Sequence, residues 1–205
     1  MVTKVKIYME GGGDGKNSKA MLREGMSKFL ANSSKFQVIC CGSRNEAFKM
    51  FTHAINSQDV NANHIFLLID SEAFVQDADD GIKRPKQHLR TRDPSWQMHD
   101  IPESQIHFMA QVMESWMIAD IESLASFYGQ QFNRNAISRT NNIEEINKLQ
   151  VEAFLEAATR ETQKGKYHKI KHGSQILAII NSDVVRQKAS YCDRFLKAIL
   201  LDDST

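Results

Sequence analysis

Three acidic residues stand where predicted strands end, and carboxylates in that position suit metal chemistry. Glu10 follows the alternating apolar segment 3–9, Asp70 closes the run HIFLLID, and Glu72 comes two residues later. Ligands of an open α/β sheet bind at the carboxyl ends of its strands. Carboxylates gathered there repel one another unless a cation joins them. Mg²⁺, or Mn²⁺ in its place, takes oxygen ligands and serves phosphoryl chemistry, so we expect these acids to bind such an ion.

The glycine-rich stretch YMEGGGDGKNS, residues 8–18, raises the alternative of a phosphate-binding loop. A P-loop requires glycine five positions before Gly15, where Glu10 stands, and an asparagine replaces its Mg²⁺-binding hydroxyl. The dinucleotide fingerprint is excluded as well, because a lysine occupies the position of its third glycine. The pattern that remains is an acid at a strand end followed by a glycine turn. The other interpretation is a flexible turn with one exposed Glu. The turn consists of Gly11, Gly12, Gly13 and Asp14.

The elements that must position these acids follow an alternating strand–helix pattern. Strands are predicted over residues 3–9, 36–41, 64–69 and 105–109. Amphipathic helices over 17–32 and 43–57 separate the first three. The continuous apolar run that ends at Asp70 is typical of a strand buried on both faces. We therefore predict an α/β fold with a mostly parallel four-stranded sheet flanked by helices.

The rest of the chain is predicted to be irregular first and then helical. Residues 71–104 are polar and contain all three prolines, which indicates a long loop. Helices are predicted over 112–129, 143–163 (one or two), 173–181 and 183–201. These patterns indicate an α/β domain over residues 1–125 and a helical C-terminal region over 126–205 packed on it, with one continuous domain as the alternative.

Composition excludes several classes of protein. The 205 residues carry a formal net charge of +1, so no global field indicates a nucleic-acid partner. No apolar stretch reaches the length of a membrane span, and the N-terminus lacks the apolar core of a signal peptide. The three cysteines, Cys40, Cys41 and Cys192, suggest neither a disulfide framework nor a zinc site. We expect a cytoplasmic protein without a membrane partner.

Glu10-Gly11-x-x-Asp14 on a first strand–helix turn, followed by Asp70-x-Glu72 after a later strand, resembles the Toprim domain. That fold is shared by topoisomerases, primases and related nucleases. The resemblance implies catalytic roles for all three acids, with Glu10 as general acid or base and Asp70 and Glu72 as Mg²⁺ ligands. The chain departs from the family in having Asp-x-Glu in place of Asp-x-Asp, and the extra methylene shifts the ligand geometry.

Two further blocks narrow the resemblance. IHFMAQVMESWMIAD and KGKYHKIKHGSQILAIINSDVVRQKASYCDRFLKAIL are similar to an uncharacterised bacterial Toprim-related family. Its members are often encoded beside ATPases in phage-defence or mobile loci. The resemblance covers nearly the whole chain, and it implies a partner ATPase and a role in phage defence.

The acids after the fourth predicted strand have two interpretations. Glu114 is predicted to join the metal ligands because it follows that strand, and Asp120 is a second candidate. The alternative makes Trp116 a core residue and both acids helix-start or surface residues.

Two basic segments could contact a phosphate backbone. Residues 83–92 are interpreted as a solvated loop, whereas residues 164–172 are predicted to bind nucleic acid. The predicted phosphate contacts are Lys166, Lys169, Lys171 and His172. Tyr167 is predicted to stack on a base. His107, on a strand, is expected to be a packing residue.

Three functions are compatible with these residues. The leading hypothesis is a Mg²⁺-dependent nuclease, or another phosphodiester-processing enzyme. The second is a noncatalytic Toprim-like module that binds nucleic acid or a partner ATPase, which Asp-x-Glu and the near-neutral charge favour. The third is a small-molecule phosphotransferase or phosphatase, which needs a closed pocket where polymer binding needs an open groove.

Overall fold

A parallel sheet forms the centre of the protein. The computed structural model describes residues 4–31, 34–57, 64–77 and 83–200. Four strands pair in the order β2-β1-β3-β4, and every pairing is parallel. The strands are β1 (Val5–Glu10), β2 (Phe36–Gly42), β3 (Ile65–Asp70) and β4 (Ile106–Met109). The predicted α/β class and the parallel four-stranded sheet are confirmed.

Helices cover both faces of this sheet. They are α1 (Lys16–Phe29), α2 (Arg44–Asn56), α3 (Pro85–Arg92), α4 (Met113–Ala119), α5 (Ile121–Tyr128), α6 (Lys148–Thr159), α7 (Lys169–Leu177), α8 (Ser182–Lys188) and α9 (Ser190–Leu200). Short 3₁₀ turns occupy Glu103–Gln105, Arg134–Ala136 and Ile143–Glu145.

Strand β3 shows why two helical layers form. All six of its residues are buried, and successive side chains of a strand point to opposite faces. Phe66 and Leu68 belong to a core with α1 and the C-terminal helices, whereas Ile65 and Leu67 belong to a second core with α2 and α3. The first core joins residues from both sides of the predicted boundary at residue 125, and the division into two domains stays a prediction.

Several predicted boundaries need correction. The predicted loop 71–104 contains α3, which was missed because Pro85 and Leu89 are its buried residues and no apolar stripe marks it. Two helices replace the one predicted over 112–129, because Asp120 leaves the helical conformation and caps α5 by accepting from the Ser123 N–H. The predicted helix 183–201 is likewise divided, into α8 and α9.

The ends of three predicted elements, residues 3, 32 and 201, lie outside the described residues. Packing interpretations agree with the structure: His107 is buried, and Trp116 is buried and stacks on Phe29. None of the helices in the described ranges combines the length and apolarity needed to cross a membrane.

Candidate metal centre

Three carboxylates converge at one edge of the sheet. Glu10 ends β1 and Asp70 ends β3, and these strands are neighbours, so both side chains leave the sheet at the same edge. Glu72 follows directly after β3. One carboxylate oxygen from each residue lies within 4.8 Å of the corresponding oxygens of the other two. We call these three residues the carboxylate cluster. Their oxygens span the distance that a single hydrated divalent cation bridges.

The backbone after β3 brings Glu72 to this position. Its N–H donates to the Gln111 carbonyl over 2.8 Å, and the Ser71 N–H donates to the Met109 carbonyl over 3.3 Å. Glu72 has φ +63°, a left-handed conformation that costs free energy for a residue other than glycine. Glu72 therefore does not continue the extended conformation of β3. Glu72 joins the cluster through a backbone turn held by the segment after β4.

Asp70 is the most buried member of the cluster, with 5% of its surface exposed. Burial raises its pKa well above the ordinary value, and the charges of Glu10, Glu114 and Glu72 add to that effect, while Lys169 opposes it. Its Oδ1 accepts a hydrogen bond from the Met113 N–H at the start of α4. A nearby cation strongly stabilises the ionised form of such a buried acid.

Glu10 is held from two sides. Its Oε2 accepts the Asp70 N–H over 3.3 Å and lies 3.6 Å from Nη1 of Arg44. Burial raises the pKa of Glu10, and Arg44 opposes that rise. A carboxyl group with a raised pKa at a cluster of acids has the properties of a general acid or base.

Cations from three helices accompany the cluster. Arg44, the first residue of α2, donates to Asp93 and to the Asp70 carbonyl in addition to its contact with Glu10. Lys148, the first residue of α6, donates to Glu72 over 2.8 Å. Burial alone would raise the pKa of Glu72, but the Lys148 bond and nearby arginines outweigh it and lower the pKa.

The third cation is Lys169, the first residue of α7. Its Nζ lies 3.9 Å from Asp70 Oδ2 and 3.4 Å from the Glu114 carboxylate. Glu114 is buried and also accepts the Tyr167 hydroxyl over 3.0 Å. The structure thus places Glu114 beside the carboxylate cluster, where it contacts Lys169, and does not include it among the three converging carboxylates.

A comparison with protein-family models matches residues 9–200 to the family described as Domain of unknown function (DUF4276). The chain belongs to this family. A search of curated proteins and a search of solved structures gave no match. The matched DUF4276 range contains the whole carboxylate cluster together with Lys148 and Lys169.

The glycine turn of this DUF4276 chain packs tightly. Gly11, Gly12 and Gly13 all have positive φ. The Gly11 N–H donates to the Gly42 carbonyl and the Gly42 N–H donates back, at 2.8 and 3.1 Å. A Cβ on Gly12 would lie 2.9 Å from the Cα of Lys19, so a side chain has no room there. Asp14 is exposed.

A cavity of about 310 Å³ opens between this turn and the carboxylate cluster. Glu10, Asp70 and Lys169 are its charged lining residues, and Leu22 and Met113 supply part of its apolar wall. The volume lies at the lower end of the range of small-molecule sites, about 300–1,000 Å³.

The predicted phosphate-binding stretch of the DUF4276 chain is divided among different environments. Lys166 pairs with Glu156, and Lys171 is exposed. His172 is buried, and its Nδ1 accepts the His168 N–H over 3.2 Å, so the structure does not present it to a ligand. Of the four predicted phosphate contacts, Lys169 is the one that reaches the carboxylate cluster. The stretch also begins α7, four residues before the predicted helix at 173.

Asp120 is a helix-start residue, which is the alternative interpretation given for it from the sequence. Its carboxylate accepts the Ser123 N–H and the Asn181 N–H, so it caps α5 and ties it to the start of α8.

Sequence reasoning missed Arg44 and Lys148. The position of Arg44, directly after β2 at the ligand-binding edge, was an available signal. Lys148 follows a capping Asn147 in a remote helix, and nothing in the sequence links it to Glu72.

Proposed function

We propose that this protein is a Mg²⁺-dependent nuclease of Toprim type, which hydrolyses phosphodiester bonds. The observation that carries this proposal is the convergence of Glu10, Asp70 and Glu72 within 4.8 Å at the carboxyl edge of the sheet. Three converging carboxylates, one of them buried, are the oxygen donors that Mg²⁺ or Mn²⁺ takes.

The donor set fits such an ion. Oδ1 of Asp70 accepts the Met113 N–H, which orients the carboxylate, and one oxygen of Asp70 lies within 4.8 Å of an oxygen of Glu10 and of Glu72. A bound Mg²⁺ would supply charge stabilisation at the phosphoryl group and make water a better nucleophile.

The residues of the chain supply the proton transfer and the positioning. In the hydrolysis, a water oxygen forms a bond to phosphorus, the bond to the leaving sugar oxygen breaks, and a proton moves to that oxygen. Glu10 is the proposed proton carrier, because its carboxylate ends β1 beside Asp70 and lines the cavity next to the cluster. We assign to Lys169, whose Nζ lies 3.9 Å from Asp70, the contact with a phosphate oxygen next to the cluster.

The Toprim-related resemblance extends the proposal. It adds a partner ATPase and a role in phage defence, so a cleavage assay should include the ATPase encoded beside the gene where one is present. Cleavage that appears on adding this ATPase and ATP supports the partnership.

A noncatalytic module is the second candidate, and one observation favours it. Each member of the carboxylate cluster has its own protein cation: Arg44 at 3.6 Å, Lys169 at 3.9 Å and Lys148 at 2.8 Å. The cluster is therefore partly neutralised by the protein itself. In that case the site would serve fold and partner binding without turnover.

The deciding experiment compares the wild type with Glu10→Gln in Mg²⁺ or Mn²⁺ calorimetry and in an oligonucleotide cleavage assay. The nuclease proposal expects metal binding and cleavage by the wild type, with a rate loss in Glu10→Gln of about 10²-fold or more. Glu122→Gln, an exposed acid on α5, is the matched control and should retain full activity. Metal binding without cleavage, with the ATPase present, would select the noncatalytic module. Absence of metal binding by the wild type would overturn the proposed centre.

A further inference from the structure

A groove of about 690 Å³ runs between α1 and β2, the strand at one edge of the sheet. Four cationic side chains line it, Lys4, Lys16, Lys19 and Arg23, and its lining includes no Asp or Glu. We call this surface the basic groove. It carries a local positive field on a chain whose formal net charge is only +1.

The arrangement of α1 builds this field. Lys16, Lys19 and Arg23 are spaced three and four residues apart, which places them on one face of the helix. With a rise of 1.5 Å per residue, they extend along about 10 Å of its length. Lys4 stands just before β1, at the far end of the groove. The strand it precedes is six residues long, roughly 20 Å at 3.3 Å per residue.

These cations are available to a ligand. Among the described residues, Lys4, Lys16 and Arg23 form no ion pair, and Lys19 donates to the Cys41 carbonyl over 3.2 Å. The stretch at 164–172 differs, because Lys166 pairs with Glu156 and Lys169 contacts Glu114 and Asp70. Within the described ranges, the cations of the basic groove therefore lack the acidic partners that Lys166 and Lys169 have.

The basic groove and the cavity beside the carboxylate cluster are separated by Lys19 and the glycine turn. Lys19 lines the groove and packs against the glycine turn, where a Cβ on Gly12 would meet its backbone at 2.9 Å and one on Gly42 would meet its Nζ at 3.1 Å. Gly12 and Gly42 line the cavity that contains Glu10 and Asp70. A chain lying in the groove reaches the cluster by crossing this turn.

We propose that the basic groove binds the phosphate backbone of a single nucleic-acid strand and leads it across the glycine turn to the carboxylate cluster. The groove is bounded by one helix and one edge strand that pack on each other. Positively charged grooves that follow the backbone are the general means of binding single strands. The inference rests on the proposed function, since it names the path by which the substrate of that site approaches.

The test is a salt titration of the affinity for a fluorescent single-stranded oligonucleotide, measured without divalent metal. The double variant Lys16→Ala/Arg23→Ala removes two exposed cations of the groove. The matched control is Lys166→Ala/Lys171→Ala, which removes the same charge from the stretch at 164–172. Each lost contact with a single strand should reduce the slope of log K against log salt by about 0.7. We expect a decrease of about 1.4 in the groove variant and little change in the control.

Three results would overturn the groove assignment. The first is an unchanged slope in the groove variant with a reduced slope in the control. The second is tighter binding of duplex than of single strand by the wild type. The third is displacement of the oligonucleotide by polyglutamate at equal charge concentration, which would assign the groove to an acidic protein. Thermal unfolding of both double variants should match the wild type, because the removed side chains are exposed.

Cleavage kinetics separate this inference from the proposed function. The groove variant should raise KM about tenfold and leave kcat unchanged, whereas Glu10→Gln should lower kcat with binding retained. Cleavage that is normal in the groove variant at all substrate concentrations removes the groove and keeps the nuclease. Absence of oligonucleotide binding by the wild type removes both.

Discussion

The main-chain N–H of Met113 donates a hydrogen bond to Oδ1 of Asp70 over 2.9 Å. This bond connects the start of α4 to the end of β3 and fixes the orientation of the carboxylate. The oxygen of an asparagine side chain can accept the same bond. Charge at this position can therefore be removed while the local geometry is kept.

We accordingly predict that Asp70→Asn folds normally and loses Mg²⁺ affinity by at least tenfold. The apo variant should unfold at a temperature equal to or above that of the wild type, because a buried carboxylate surrounded by other acids is costly when charged. Calorimetry and thermal unfolding measure the two effects. Asp183→Asn, at an exposed acid on α8, is the control and should change neither. Unchanged Mg²⁺ affinity in Asp70→Asn would remove Asp70 from the centre.

The raised pKa of Asp70 leads to a prediction of how the free energy of unfolding depends on pH. The pKa of Asp70 is raised in the folded state above its ordinary value of 3.8, so the native state binds the proton more tightly than the unfolded state. Stability from this group is present below about pH 4 and is lost as pH rises towards the folded pKa. The free energy of unfolding of the wild type relative to Asp70→Asn should therefore decrease with rising pH. Urea titrations in a chelator from about pH 4 to about pH 8 measure it, and a constant difference would contradict the prediction.

Arg44 is predicted to be a structural requirement of the centre. Its side chain is 11% exposed and donates to Asp93 and to the Asp70 carbonyl. Arg44→Ala leaves those groups unpaired and should lower the free energy of unfolding by about 3 kcal/mol. Arg134→Ala removes an exposed ion pair with Glu122 and should cost less than about 1 kcal/mol. Equal losses in the two variants, measured by urea unfolding, would show that Arg44 has no special role.

We predict that Gly25→Ala in α1 destabilises the protein, although helix propensity alone predicts stabilisation. Glycine to alanine inside a helix normally stabilises by about 1 kcal/mol. A Cβ on Gly25 would lie 2.4 Å from the Ser174 carbonyl of α7, so the helices must separate. Such overpacking costs about 1–3 kcal/mol, and Gly25→Ala should be net destabilising. Met21→Ala, at an exposed site of the same helix, should change the melting temperature little. A stabilised Gly25→Ala protein would contradict the close helix contact.

The sheet was predictable because its strands carry strong local signals. The run before Asp70 is apolar throughout, and that is what a strand covered on both faces requires. Helix α3 was not predictable, since it buries Pro85 and Leu89 among charged residues. The end of α4 at Asp120 depends on hydrogen bonds that its carboxylate accepts from Ser123 and from the distant Asn181. The apolar periodicity of the sequence does not reveal these bonds.

The residues of the candidate centre were likewise only partly predictable from the sequence. Strand ends lie at one edge of a parallel sheet, so the approach of Glu10 to Asp70 follows from topology. The turn at Glu72 and its bond from Lys148 depend on segments that meet only in the folded chain. Partners of this kind, 76 residues apart in sequence, are set by tertiary packing and not by local pattern.

The placement of Lys169 has a consequence for the order of events during synthesis. The ribosome makes Lys169 roughly one hundred residues after Glu72. At about 5–20 residues per second, the nascent chain carries the three acids for about 5–20 s before the lysine beside Asp70 exists. During that interval Arg44, which is made before Asp70, is present, whereas Lys169 is not. Under the proposed function, a divalent cation is therefore able to reach the three acids before this lysine is made.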